Sequence, residues 1–276
     1  MISSKRIHII SLTAMLTAFA ATAMAADPPT AKPGAVDGAA CEGFGPQTPR
    51  DIDARDGNNK RTIAMAPDYK QMNLCNIHFH TQAEHKAKAF SLVPGGDSAG
   101  FQCNETPKLS KAELAAPAAN NCKGLKPGDT IEVHWVHSSC DVKPGKGLGS
   151  CLSASCANPD LRVESQVFMV VNDNKALDFT KMGYGGNVVN GFHQAKAIPS
   201  NTGKPVQFIG STTGPQYTEA TCSPLQVTWS VRPSCAKVDI NSLSEWCKSN
   251  EFAEDHPHGV RKLVTNTKLL SQIISK

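Results

Sequence analysis

Two short apolar segments carry histidines at a spacing that limits how this chain can fold. The first ends in His78-Phe79-His80, and the second contains Glu132-Val133-His134. Residues two apart on a β-strand point to the same face of a sheet, so His78 and His80 reach towards one point. A third imidazole from a neighbouring strand completes an open zinc site, whose fourth corner stays free for water or substrate. Structural zinc sites usually have four protein ligands, so this pattern predicts a catalytic metal centre.

The N-terminus has the residue order of a secretory signal peptide. Lys5 and Arg6 precede an apolar run over residues 7–21, and the small residues Ala23-Met24-Ala25 follow. This order predicts a cleaved signal peptide over residues 1–25. An uncleaved anchor is the alternative, although the apolar run is short for a membrane span. We therefore expect an exported protein, periplasmic or secreted, with no membrane insertion after signal cleavage.

The rest of the chain is expected to form a lead-in and one domain. Residues 26–40 are rich in Ala, Pro, Gly and Asp and have no apolar periodicity, which predicts a flexible segment. Residues 41–276 contain no linker and predict a single catalytic domain. The formal net charge of the whole chain is only +4, and no basic run is interleaved with aromatic residues. Nucleic acid and membrane surfaces are therefore not expected as partners.

The ten cysteines support export, because all of them lie beyond the predicted signal peptide. An even number of cysteines in an exported chain indicates disulfides, although the sequence does not define their pairing. Five of the cysteines lie in two long segments, residues 91–128 and 138–160. Loops of this length are uncommon unless something orders them, so we predict disulfide-rich loops.

The predicted fold is mainly β with minor helix. Five runs rich in β-branched and aromatic residues, bounded by Gly, Pro, Asn and Asp, predict strands at 72–80, 130–137, 162–171, 205–209 and 225–231. Residues 239–246 predict a helix capped by Asp239 or Asn241, and residues 111–115 predict one or two helical turns. For His256-Pro257-His258 a solvated loop is favoured over a second metal site.

Several motifs occur in an order that resembles carbonic anhydrase of the α type, and still more of the δ class, in its exported bacterial form. Along the chain these motifs are 47–52 (Gln-Thr-Pro-Arg-Asp-Ile), 78–80 (His-Phe-His), 84–85 (Glu-His), 132–134 (Glu-Val-His), 210–215 (Gly-Ser-Thr-Thr-Gly-Pro) and 227–229 (Val-Thr-Trp). The resemblance implies an α-carbonic-anhydrase-like fold, with a central twisted and largely antiparallel sheet.

The resemblance also implies a reaction, the zinc-dependent reversible hydration of CO₂ to bicarbonate and a proton by metal-bound hydroxide. Its substrate pair is CO₂ and bicarbonate, and Co²⁺ or Cd²⁺ are expected substitutes for Zn²⁺. The implied metal ligands are His78, His80 and His134. Glu132 shares a strand face with His134 and can accept the other N–H of that ring, which fixes the tautomer. Gln47 is expected just outside the ligands, in the layer that supports them.

The resemblance further implies a threonine hydroxyl that accepts a hydrogen bond from zinc hydroxide and donates one to a buried glutamate. These roles fall to Thr212 and Glu84. The loop lacks the leucine that the family carries between its serine and its threonine, so Thr213 is an alternative. Counting backwards from Cys222 favours Thr218 instead.

Two further features are implied by the resemblance, one present and one missing. Many exported relatives tie their early segment to the threonine loop by a disulfide, which implies a Cys41–Cys222 pair. The family's proton-shuttle histidine has no counterpart, because no histidine lies between Ile52 and Ile77. His85, His137 and His193 are the candidates that remain elsewhere in the chain.

Two other functions fit parts of the pattern. A cupin-type Mn or Fe enzyme would use His78, His80, Glu84 and His134 as direct ligands, because two histidines and a carboxylate at this spacing form the first cupin motif. The 47–52 and 210–215 segments, which cupins do not need, count against this function. A non-catalytic exported metal-binding module is the other alternative, although such relatives typically lack a ligand histidine.

Overall fold

The computed structural model describes residue 41 and residues 43–94, 100–214, 217–218, 220–260 and 264–274. The predicted signal peptide and lead-in lie outside the described residues. In the part of the chain that is described, no helix is both long and apolar enough to span a membrane. The strands are β1 (Asn73–Thr81), β2 (Phe90–Leu92), β3 (Gln102–Cys103), β4 (Thr130–Ser138), β5 (Leu161–Val171), β6 (Val188–Val189), β7 (Phe192–His193), β8 (Val206–Ser211), β9 (Gln226–Val231) and β10 (Ala236–Asp239). The α-helix is α1 (Ile240–Lys248), and short 3-10 helices cover Tyr69–Gln71, Thr106–Lys108, Leu148–Cys151 and Phe179–Lys181.

A mixed six-stranded sheet forms the centre of the fold. Five strands follow the order β1-β4-β5-β9-β8, and β10 pairs with the last four residues of β5. The pairs β1–β4, β4–β5 and β8–β9 are antiparallel, whereas β5–β9 and β10–β5 are parallel. Each of the five predicted strands lies on a strand of this sheet. The prediction of a mainly β fold with a largely antiparallel central sheet and minor helix is confirmed.

The two faces of the sheet have different coverings, and both are buried. All nine residues of β4 are buried, as are all eleven of β5. On one face Phe79 and Trp135 pack in a cluster that includes α1 residues such as Leu243. The opposite face carries the three histidines of the predicted site, near an apolar cluster that contains Trp229 and Val163. Because side chains alternate along a strand, the histidines and the large apolar residues separate onto different faces.

The helix α1 begins where the sequence predicts. The carboxylate of Asp239 accepts a hydrogen bond from the backbone N–H of Ser242 at 3.2 Å, which satisfies one of the helix's unpaired first-turn donors. The Trp246 ring packs against the ring of Phe179, with centroids 4.9 Å apart. The predicted helical turns at 111–115 are irregular turns instead, in which the Glu113 carboxylate accepts a hydrogen bond from the backbone of Ser110.

Five disulfides cross-link the domain and use all ten cysteines. The pairs are Cys41–Cys222, Cys75–Cys151, Cys103–Cys235, Cys122–Cys247 and Cys140–Cys156. They include the pair that the resemblance implies. Two of the bridges hold the segment between β4 and β5, and one joins the segment before β4 to α1. The prediction of disulfide-rich loops is confirmed.

We predict that replacing both Cys122 and Cys247 by serine lowers the free energy of unfolding by about 2–4 kcal/mol. This bridge spans 125 residues, so its loss greatly enlarges the conformational freedom of the unfolded chain. Urea unfolding followed by tryptophan fluorescence measures the change. Lys248→Ala, at an exposed position of the same helix, is the control and should unfold near the wild-type midpoint. Equal midpoints for the double variant and wild type would contradict the prediction.

Candidate metal centre

Three imidazole rings converge on one face of the sheet because of the register between β1 and β4. His78 lies directly opposite His134, and His80 lies opposite Glu132. The ring centroids are 5.2 Å apart for His78 and His80, 5.1 Å for His78 and His134, and 5.0 Å for His80 and His134. One nitrogen of each ring lies within 4.8 Å of the other two. The structure therefore brings together the three histidines that the sequence singled out.

The spacing of these nitrogens fits a zinc ion. His78 Nε2 and His134 Nδ1 are 3.3 Å apart. Two nitrogens that are each about 2.0–2.1 Å from a tetrahedral zinc lie about 3.3–3.4 Å from one another. Burial lowers the pKa of His80 to about 4, so this ring is neutral at neutral pH and presents a lone pair. The donor set thus suits a metal that binds neutral imidazoles.

The outer nitrogen of each ring faces an oxygen. His78 Nδ1 donates to Asn76 Oδ1 at 2.7 Å, His80 Nδ1 donates to the Gly259 carbonyl at 3.2 Å, and His134 Nε2 donates to Glu132 Oε1 at 3.1 Å. An oxygen that only accepts requires a proton on the facing nitrogen, which fixes the tautomer. The nitrogens left with a lone pair are therefore Nε2 of His78, Nε2 of His80 and Nδ1 of His134.

Glu132 is the centre of a buried hydrogen-bond network behind His134. Its carboxylate also accepts hydrogen bonds from Ser165 Oγ at 2.6 Å, from the His85 backbone N–H at 3.0 Å and from His85 Nδ1 at 2.6 Å. Burial by itself raises the pKa of Glu132, but the charge of His85 and the hydrogen bonds from His134 and His85 together hold it well below its ordinary value. Glu132 is therefore an ionised acceptor that orients His134.

Glu84 is fully buried beside the histidine cluster and lies close to one of the three candidate threonines. Its Oε1 is 3.4 Å from His80 Nδ1, and its Oε2 accepts a hydrogen bond from Thr213 Oγ1 at 3.5 Å. The hydroxyl of Thr212 instead shares a hydrogen bond with Ser223 Oγ at 2.6 Å. Thr218 pairs through its backbone with Thr221. The structure thus brings Thr213, rather than Thr212 or Thr218, to Glu84.

Gln47 holds the threonine loop and does not touch the histidines through any hydrogen bond that the structure describes. Its Nε2 donates to the Ser223 carbonyl at 3.1 Å, and its Oε1 accepts from the Ser223 backbone N–H at 3.0 Å and from Ser211 Oγ at 3.2 Å. Ser211 precedes the two threonines, and Ser223 contacts one of them. Gln47 therefore supports the site through the loop, next to the Cys41–Cys222 disulfide.

None of the three histidines named as shuttle candidates belongs to the converging group of His78, His80 and His134. His85 is fully buried and its Nδ1 is bound to Glu132. His137 is fully buried on the opposite face of the sheet, and burial lowers its pKa to about 3. His193 Nδ1 contacts the Tyr184 hydroxyl at 2.7 Å. Each of these three histidines is therefore buried or bonded elsewhere in the fold, and the order of residues in the sequence does not reveal those contacts.

A fourth imidazole near the cluster was not anticipated from the sequence, which favoured a solvated loop around it. The His258 backbone pairs with β1, donating to the Phe79 carbonyl at 2.8 Å and accepting from the Thr81 N–H at 2.7 Å. Its ring centroid lies 5.8 Å from that of His78 and 5.9 Å from that of His80, and the side chain is 33 % exposed. Backbone pairing to an edge strand has no sequence signature here, so only the fold brings His258 to the site.

Comparison with known proteins identifies a family. The family model described as delta carbonic anhydrase matches residues 69–242. A search of curated proteins finds no match. Among solved structures, the complex of alpha-carbonic anhydrase from Thermovibrio ammonificans with the inhibitor sulfanilamide is 16% identical. The match covers 80% of this chain and 87% of that chain at a TM-score of 0.26, a value too low to carry an argument.

The family match covers more than half of the chain and includes the features that are most specific to the site. Both histidine strands, Glu84 with its hydrogen bond to Thr213, and the network around Glu132 all lie within the matched range. The matched range thus contains five of the six motifs on which the sequence resemblance rested, all except residues 47–52, and the resemblance is confirmed. The chain therefore belongs to the delta carbonic anhydrase family.

Proposed function

We propose that the protein catalyses the reversible hydration of CO₂ to bicarbonate and a proton at a Zn²⁺ ion held by His78, His80 and His134. One observation carries the proposal: three imidazoles converge within 4.8 Å, and each has its outer nitrogen on an oxygen acceptor. Membership of a carbonic anhydrase family supports it. Co²⁺ and Cd²⁺, which accept the same neutral imidazole donors, are the expected substitutes.

A zinc ion bound by the three histidines would supply Lewis acidity that lowers the pKa of water towards neutrality, for which carbonic anhydrase is itself the standard example. The protein's contribution is to present three neutral rings in fixed tautomers. Glu132 performs this for His134, because its ionised oxygen accepts the Nε2 proton at 3.1 Å.

Thr213 and Glu84 are proposed to orient the reacting water. A threonine hydroxyl has one proton, and Thr213 donates it to Glu84 at 3.5 Å. The Thr213 oxygen is then restricted to accepting a hydrogen bond, so a water molecule beside it must point a proton at Thr213. A lone pair of that water is thereby directed away, towards the carbon of CO₂. Thr212 and Gln47 hold the loop that carries this hydroxyl.

An apolar wall is proposed to receive CO₂, which carries no charge and offers only weak hydrogen-bond acceptors. The ring of Trp229 packs edge-on against that of His134, with centroids 5.2 Å apart. Trp229 belongs to the apolar cluster on the same face of the sheet, together with Val163 and Val136. An apolar surface beside the metal ligands favours a small uncharged substrate over bulk water.

The position of Glu84 supports carbonic anhydrase chemistry over cupin chemistry. A cupin would use Glu84 as a direct ligand together with the three histidines. Here the nearest His80 nitrogen to Glu84 is Nδ1 at 3.4 Å, the nitrogen that also faces the Gly259 carbonyl and points away from the cluster. The complete set of three converging rings also counts against a non-catalytic metal-binding module.

We propose a periplasmic or secreted location for this activity. Five disulfides suit an oxidising compartment, because reducing compartments keep most thiols free. In such a location the reaction would supply CO₂ or bicarbonate at the cell boundary, or would buffer pH there. A deletion strain should then grow more slowly than its parent at low CO₂.

The first test is stopped-flow CO₂ hydration by the oxidised protein loaded with Zn²⁺, compared with His134→Ala. His134→Ala removes one of the three proposed ligands and should lower kcat/KM by about 100-fold or more. This loss should be larger than the loss caused by removing an outer hydrogen-bond partner of a ligand. His256→Ala removes an exposed imidazole outside the cluster and is the control that should keep wild-type activity. Wild-type activity in His134→Ala, or none in the zinc-loaded parent protein, would contradict the proposal.

The second test separates the two threonines. Thr213→Val removes the hydroxyl that contacts Glu84 and should lower kcat/KM by about 100-fold with zinc still bound. Thr212→Val removes a neighbouring hydroxyl of the same loop and should lower kcat/KM by less than about 10-fold, because its partner is Ser223. Stopped-flow kinetics together with zinc content measures both effects. The reverse order of the two losses would assign the orienting role to Thr212.

A further inference from the structure

Asn76 connects the metal ligand His78 to a loop between β4 and β5. Its Oδ1 accepts the proton of His78 Nδ1 at 2.7 Å, and its Nδ2 donates to the Gly145 carbonyl at 3.0 Å. Asn76 is almost completely buried, so water does not replace these partners. The loop, residues 139–156, is here named the disulfide loop, because two disulfides hold it.

The Gly145 carbonyl determines which way the Asn76 amide faces. A carbonyl oxygen only accepts hydrogen bonds, so the amide must turn its NH₂ group towards Gly145. The amide oxygen is then directed at His78, where it demands a proton on Nδ1. This leaves the lone pair on His78 Nε2, the nitrogen that lies 3.3 Å from His134 Nδ1. One backbone carbonyl of the disulfide loop thereby selects the tautomer that a metal requires.

Cys75, next to Asn76, anchors the disulfide loop to β1. The register of β1 against β4 shifts between Leu74 and Asn76, so Cys75 occupies a β-bulge. Its carbonyl accepts hydrogen bonds from the Gly145 backbone N–H at 3.0 Å and from Ser150 Oγ at 2.7 Å. Its sulfur is bonded to Cys151 of the same loop. Cys75, which anchors the loop, and Asn76, whose amide faces His78, are thus adjacent in the sequence.

The disulfide loop is rich in glycine, and its two disulfides and its hydrogen bonds to β1 hold it in place. Gly145, Gly147 and Gly149 give it high conformational freedom, and ordering such a segment costs entropy. Cys140–Cys156 closes the loop on itself, whereas Cys75–Cys151 joins it to the strand that carries the ligands. Loss of the second bridge would allow the Gly145 carbonyl to move away from Asn76, and the amide would then be able to turn its NH₂ group towards His78.

We infer that the Cys75–Cys151 disulfide sustains metal affinity by fixing the Gly145 carbonyl against Asn76, the residue that positions His78. The inference rests on the proposed role of His78 as a metal ligand. It ties retention of the metal to the oxidised state of one disulfide, the one that joins the disulfide loop to β1. The test reads metal affinity directly and does not depend on catalysis.

The experiment measures the Zn²⁺ dissociation constant of the full folded domain by competition with a chromophoric chelator. Asn76→Ala should raise the dissociation constant by about 10–100-fold, the usual effect of losing an outer partner of a metal ligand. Asn73→Ala is the matched control. Asn73 also lies on β1 and donates to a carbonyl of the disulfide loop, that of Cys140 at 2.9 Å, but it contacts no ligand histidine. Its zinc affinity should stay within about threefold of wild type.

A double-mutant cycle separates positioning from general damage to the fold. Asn76→Asp presents an oxygen to His78 whichever way the carboxylate turns, so it should retain zinc affinity. Removing the bridge with Cys75→Ser and Cys151→Ser should weaken zinc binding about tenfold when Asn76 is present. The same removal should have no further effect in the Asn76→Asp background. An equal loss in both backgrounds, or no loss in either, would overturn the inference.

The outcomes also distinguish this inference from the proposed function. If His134→Ala loses zinc but Asn76→Ala binds it like wild type, the metal site stands and the role of Asn76 is wrong. If His134→Ala binds zinc as tightly as wild type, the assignment of the ligands is itself wrong.

Discussion

The antiparallel register between β1 and β4 is the constraint on which the whole site depends. It sets His78 opposite His134 and His80 opposite Glu132. A slip of one residue would turn His134 to the helix side of the sheet and bring Trp135 to the metal side. Burial prevents such a slip, because Phe79 and Trp135 are fully buried on the helix side and would lose that packing. The core on one face thereby maintains the chemistry on the other.

The same arrangement places a charged carboxylate, that of Glu132, in the interior of the protein. Glu132 is wholly removed from water, and an ionised carboxylate in that position is costly unless it is fully hydrogen-bonded. Its partners come from three places: His134 on the same strand, Ser165 on the neighbouring β5, and His85 in the segment after β1. The orientation of His134 therefore involves three parts of the chain, and a defect in any of them removes one of the hydrogen bonds that compensate the buried carboxylate.

The outer contacts of the three converging histidines come from separate regions. The Asn76 amide is oriented from the disulfide loop, Glu132 is supplied by β4, and the Gly259 carbonyl comes from the C-terminal segment that pairs with β1. The ligands themselves lie on only two strands. The three histidines lie close together, but the residues that orient them come from distant parts of the chain. This explains why the chain uses long loops and five disulfides around a short motif. The disulfides hold distant segments against the two strands.

The sequence by itself determined the strands, their alternating faces, the convergence of three histidines and the capped helix α1, because each depends on local periodicity and on residue chemistry at fixed spacing. His78, His80, His134 and Glu132 were all identified in this way. Tertiary structure decided what depends on contacts between distant segments. It brought Thr213 rather than Thr212 to Glu84, placed His258 beside β1, and gave Asn76 its bond to Gly145. Such contacts follow from loop closure and strand pairing, and no local pattern of residues specifies them.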